Sequence, residues 1–142
     1  LGAFASHARA WTMVPAVGRP VISLEFDVQP TRAWPAGASG LVSTCDYDVL
    51  ILHEHNRQPS RCDPSRKDLH VMEGRDTWYA AGAVLITNVR PGAVMQRLRE
   101  TSPIAKPVDH WLLAQWATGT LRMGTLCPPL FESSDRHKST LV

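Results

Sequence analysis

The stretch PVISLEFDV, residues 20–28, decides the fold. Apolar and β-branched residues dominate from Val21 to Leu24, and acids arrive only afterwards, at Glu25 and Asp27. A short run of this kind reads as a strand buried on both faces, as in parallel sheets. DYDVLILH, residues 46–53, supplies a second such strand, and the Pro-, Ala- and Gly-rich residues 30–40 between them read as a loop. Apolar strands interleaved with helical patterns predict an α/β domain, with a mixed, mainly parallel sheet and flanking helices.

Upstream, Trp11 and Val14 with Ala8 and Ala10 can share one helix surface, Ser6 is placed to cap it, and Pro15 would end or kink it. Downstream, residues 54–76 hold five basic and five acidic residues with two prolines, which predicts a solvated excursion. TWYAAGAVLITN, residues 77–88, reads as one or two strands broken at Gly82. Pro91 suits the start of a helix to about Glu100, with Met95 and Leu98 facing the core. After a turn at Pro103–Pro107, Val108, Trp111, Leu112, Gln115 and Trp116 fit a helix that stops at Gly119. A short final strand precedes CPPLF. The domain is expected to span 1–131, with a polar tail over 132–142.

With 142 residues there is room for one domain, and its 15 basic and 13 acidic side chains are mixed along the chain, which argues against nucleic acid as a partner. No apolar run approaches the roughly 18 residues of a membrane span. The chain therefore reads as soluble and cytoplasmic. Cys45, Cys62 and Cys127 are odd in number and form no CxxC pair, so neither a disulfide framework nor a zinc ribbon is expected and a reducing compartment fits. The chain opens on Leu1 and enters a helical pattern almost at once, which reads as a start inside a domain.

Three groups of residues could carry chemistry. Glu25 and Asp27, two apart in an extended chain, would present two carboxylates to one side where a strand ends, an arrangement for a divalent cation or for acid–base work; strand-end acids also simply solubilise. His53, Glu54 and His55, with Cys62, Asp63 and His70, contain zinc-ligand types, but their spacing matches no zinc site. Asp109 and His110 open a helix, where an acid serves as a dipole partner or as a positioned base. Trp11, Trp34, Trp78, Trp111 and Trp116 read as core residues, though Trp34, in a polar loop, could stack on a sugar.

Four stretches, in order, resemble glycosyltransferase family 25, which includes lipooligosaccharide and procollagen galactosyltransferases. LGAFASHARAW is similar to the family's G-C-x-x-S-H-x-x-x-W segment through Gly2, Ser6, His7 and Trp11. PVISLEFDV is similar to its strand ending in Leu-Glu-Asp-Asp-Val, with Phe26 in place of an acid. YAAGAVLITNVRPGAVMQRL and PVDHWL are similar to its tyrosine-strand-helix and Pro-Val-Asp segments.

The resemblance implies a GT-A-like domain lacking its first βα segment, so that nucleotide binding by this chain is expected to be weak. It implies transfer of a sugar, galactose from UDP-galactose, with inversion, to a hydroxyl of a lipopolysaccharide-type glycan or glycoprotein. Glu25 and Asp27 would hold Mn²⁺ or Mg²⁺, Asp109 and Asp27 would be catalytic, and Ser6, His7, Trp11 and His110 would contact substrates. Peripheral attachment to the inner face of a membrane is compatible with such an acceptor. The alternatives are a degenerate relative that binds a saccharide or a partner protein without turnover, suggested by Phe26, and a zinc hydrolase built on His53 and His55.

Overall fold

The structure, a computed structural model, describes residues 2–41, 46–54, 62–73, 81–90 and 92–134. Two helices open the chain, α1 (Gly2–Trp11) and α2 (Met13–Val17). Ser6 lies inside α1 rather than capping it. Gly18 closes α2 with φ +62°, a left-handed conformation that suits a residue without Cβ. The deciding stretch forms β1 (Val21–Leu24) and, after a turn, β2 (Val28–Pro30). Then come α3 (Trp34–Gly40), β3 (Val49–Ile51), β4 (His53–Glu54), β5 (His70–Met72), β6 (Ala83–Ile86), α4 (Ala93–Glu100), α5 (Val108–Thr118), β7 (Met123–Cys127) and β8 (Phe131–Ser133).

The fold is mixed α/β. Its main sheet has the order β1-β6-β3-β7-β5, and β2-β8-β4 form a second, three-stranded sheet. In the main sheet β3 and β7 run parallel, while β1–β6, β6–β3 and β7–β5 are antiparallel. The expectation of a mainly parallel sheet is therefore corrected. β1, read as buried on both faces, is an edge strand with Leu24 half exposed, while the fully buried strands, β3 and β6, have their two faces covered by different layers, which gives the same apolar run whatever the strand direction.

Alternation along β3 shows these layers. Val49 and Ile51 face one core with Val84, Ile86 and Met123, packed under Trp11, Val14, Leu98, Trp111, Leu112 and Trp116 from the helices. Leu50 and Leu52 face the other with Leu85, Leu126, Leu130 and Phe131. All four residues of β6 are buried because that strand lies between both layers. The helix side is stapled by aromatic packing, with Phe4 edge-on to Trp111 at 5.7 Å and Trp11 stacked on Trp111 at 6.1 Å. α5 follows its apolar spacing and ends at Gly119, φ +70°. α4 buries Leu98 and packs Met95 partly against the same core.

Asp48 organises the start of the central strands. Its side chain is 2 % exposed and takes two bonds from the Arg90 guanidinium and one from the Arg122 backbone N–H at 2.8 Å. Its main chain joins the neighbouring strands through Arg122 O at 2.8 Å and Thr87 N at 3.0 Å. One carboxylate thus ties β3, the exit of β6 and the entry of β7.

Several expectations need correction. Residues 34–40, read as loop, are helical, with Pro35 in the first turn where its missing N–H is harmless. The excursion ends in β5, which pairs with β7 in the register His70↔Cys127. β8 runs across the expected boundary at 131 to Ser133 and pairs with both β2 and β4. Residues 135–142 lie outside the described ones, as do His55, Trp78 and Pro91. Cys62 and Cys127 form a disulfide, Cα–Cα 5.6 Å, across a separation of 65 residues. The reading of three unpaired thiols in a reducing compartment does not stand. No helix among the described residues is long and apolar enough to cross a membrane.

Candidate active-site cleft

α1 lays Phe4, His7, Ala8 and Trp11 against β1 and the helices, the i, i+3, i+4, i+7 spacing of one helix face. His7 and Trp11 therefore point at the strand, and Ser6 lies at its rim. β1 alternates: Ile22 packs into the second core, and Ser23 turns toward α1. Beyond Leu24 the chain leaves the strand and turns at Phe26 and Asp27. The turn is pinned by Glu25 N–H to Gly82 O at 2.8 Å and by Ser134 N–H to Asp27 O at 2.6 Å. Gly82 permits this closeness, since a Cβ there would stand 2.6 Å from both His53 Nδ1 and Val28 Cγ1.

A cleft of about 610 Å³ opens between α1 and this turn, with Ser6, His7, Ser23, Glu25 and Asp27 as its polar lining. Two carboxylates and one imidazole are its titratable groups, and neither Lys nor Arg is among its lining residues. Glu25 and Asp27 both line it, yet by virtue of the turn rather than of strand alternation through Asp27.

His7, 3 % exposed, places Nδ1 2.8 Å from Ser23 Oγ and Nε2 3.4 Å from Glu25 Oε1. Trp11 donates its indole N–H to Ser23 Oγ at 3.1 Å. The hydrogen bond from His7 holds the Glu25 carboxyl below its ordinary pKa, helped by the charges of His7 and His53 and opposed by partial burial. The Asp27 carboxylate has no side-chain partner among the described residues.

Other sequence candidates lie elsewhere. Trp11 is fully buried, so it supports the cleft without touching a ligand. Asp109 is the second residue of α5, and its carboxylate accepts the His110 backbone N–H at 2.9 Å; neither residue is among those lining the cleft. Trp34 packs on Phe131 at 4.9 Å in the second core. His53 is buried with Nε2 3.0 Å from Ser133 Oγ, and Cys62 is in the disulfide, unable to act as a thiolate ligand. No group of three or more His, Cys, Asp and Glu side chains suited to a metal occurs among the described residues. The zinc reading loses its sulfur ligand on this ground.

Sequence reading missed Ser23. Its signal was available: a lone hydroxyl in an apolar strand, two residues before Glu25 and thus on the same face. It also missed Asp48, whose partners are distant in sequence. No family model matches the chain, and no curated protein matches it.

Proposed function

We propose that the chain is a GT-A-like glycosyltransferase domain that uses this cleft for the diphosphate end of a UDP-sugar, with galactose as the sugar and a glycan hydroxyl as acceptor. The observation that carries the reading is that Ser6 and His7 from α1 and Glu25 and Asp27 from the turn after β1, chosen from two separate segments, line one cleft. The mixed α/β sheet flanked by helices is compatible with it.

Such a cleft repels a naked diphosphate, because it is lined by two carboxylates and by neither Lys nor Arg. Glu25 and Asp27 would hold a Mg²⁺- or Mn²⁺-like ion, which takes one or two protein carboxylates and keeps its other positions for phosphate and water, so the donor set fits. The ion would neutralise charge on the leaving diphosphate. Ser6 lines the cleft beside the place a phosphate or sugar would take. Asp109 does not line the cleft, so it would take the acceptor proton only where the donor's anomeric carbon and the attacking hydroxyl both reach the start of α5. A Cys62–Cys127 bond fits an oxidising compartment rather than the cytoplasm.

The test is UDP release by the protein, supplied with UDP-galactose, Mn²⁺ and saccharide acceptors. Turnover should depend on Mn²⁺ and fall roughly 10²–10⁴-fold in Asp27→Asn and Asp109→Asn. Folded protein that neither binds nor turns over UDP-sugars with Mn²⁺ refutes the reading. A second reading, saccharide binding without turnover, is favoured by Phe26, which stands 84 % exposed at the cleft in place of the family's acid. It predicts saccharide binding with no UDP release.

A further inference from the structure

We infer that Trp11 and Ser23 are positioning residues that set His7 as a hydrogen-bond donor toward the cleft and so orient the Glu25 carboxylate. The network can be followed outward from the core. The Trp11 indole N–H can only donate, so Ser23 Oγ accepts it at 3.1 Å. The single Ser23 hydroxyl proton then has two takers, His7 Nδ1 at 2.8 Å and the Val84 carbonyl at 3.4 Å. The nearer one forms the better bond.

A neutral imidazole carries one N–H. If Nδ1 accepts from Ser23, that proton sits on Nε2, which faces Glu25 Oε1 at 3.4 Å. The opposite tautomer would set the bare Nε2 lone pair against a carboxylate oxygen and leave the Ser23 hydroxyl only its long contact to Val84. The first arrangement gives each polar atom a complementary partner. With Trp11 at 0 %, His7 at 3 % and Ser23 at 6 % exposure, the inner bonds are made away from water, where a mismatched pair is most costly.

The consequence for chemistry is specific. While this network holds, neutral His7 offers the cleft an N–H and has no free lone pair with which to accept a proton from a sugar hydroxyl. Its part is to hold Glu25, as outer partners hold the ligands of metal sites. The ring assignment stands apart from the proposed reaction; its effect on a bound cation rests on that reading.

Nitrogen-15 NMR of the histidine rings at about pH 8.5, where an ordinary imidazole is neutral, reads the tautomer directly. The His7 signals are assigned by their loss in His7→Gln. Wild type should show Nε2–H. Ser23→Ala should lose that fixed state, and Ser23→Thr, which restores a hydroxyl, should regain it. Mn²⁺ affinity, followed by water-proton relaxation, should fall about 10-fold in Ser23→Ala and recover in Ser23→Thr. An Nδ1–H ring in wild type overturns the inference, as does a folded Ser23→Ala protein with unchanged tautomer and Mn²⁺ affinity. Should Ser23→Ala fail to fold, the wild-type and Ser23→Thr rings decide. Wild-type protein that takes up no Mn²⁺ refutes the cation reading alone, since the tautomer is read without metal.

Discussion

Breaking the Cys62–Cys127 bond should cost the fold a large part of its stability. The bond closes a loop across 65 residues, and constraint of the unfolded chain by a loop of that size corresponds to about 4 kcal/mol on the chain-entropy model. That figure is large against the roughly 5–15 kcal/mol of a typical domain. The native-state side of the argument is local. Cys127 ends β7 with no exposed surface, and opposite it His70 begins β5, a three-residue edge strand. Without the bond β5 is held by its short ladder and by Val71, which packs over Gly124 so closely that a Cβ on that glycine would lie 2.2 Å from it.

The perturbation of choice is Cys62→Ser, because Cys62 is half-buried and the serine hydroxyl keeps access to water, whereas Cys127→Ser would bury one. Urea unfolding of oxidised wild type, of wild type in reductant and of the variant gives three midpoints. The last two should agree and lie about 4 kcal/mol below the first, or about 10–15 °C in melting temperature for a chain of this length. Alkylation of the unfolded, unreduced protein should modify one of the three cysteines, Cys45. Three modified thiols in protein matured under oxidising conditions, or reduced and oxidised forms that unfold at the same urea concentration, would refute the reasoning.

Asp48→Ala should destabilise the protein by about 2–3 kcal/mol in urea unfolding, because it strands the Arg122 N–H at the entry of β7 while the half-exposed Arg90 recovers water; a loss under about 0.5 kcal/mol would mean that the carboxylate does not join the strands. For Glu25, a folded-state pKa below the ordinary 4.5 means that its contribution is present above that value and lost as pH falls through the depressed one. Stability measured from pH 7 down to 3 should therefore decline less steeply in Glu25→Gln than in wild type, and parallel profiles would count against the His7 bond.

Much of the helix layer was legible because its signals are local. Val108, Trp111, Leu112, Gln115 and Trp116 repeat at helical spacing, Gly119 supplies the stop, and the segment forms α5. Strand direction was not legible, since burial on both faces leaves the same apolar run in Val49–Ile51 whichever way the neighbours point. Nor was α3. Its Pro and Gly content argues against a helix by propensity, with Gly costing about 1 kcal/mol against Ala in a helix interior. Yet a Cβ on Gly37 would meet Leu130 Cδ2 at 2.3 Å, so the residue that weakens the helix is the one that lets it dock. Tertiary packing outweighs propensity there.

The same distinction separates what could be read of the cleft from what could not. Glu25 and Asp27 were conspicuous as acids after an apolar run, but the reason they share a cleft is a turn held by Gly82 O and Ser134 N, groups more than 50 residues away in sequence. The disulfide is of this kind too, since its partners become neighbours only when β5 pairs with β7. Trp11 was given a role against substrate by the family resemblance alone. Folding takes it wholly out of reach, and its polar atom works through Ser23 instead. A donor and an acceptor two elements apart acquire meaning only once the core has fixed which hydroxyl stands between them. That is why Ser23, a lone hydroxyl visible in an apolar strand, shows its part in joining the core to the cleft only in the folded chain.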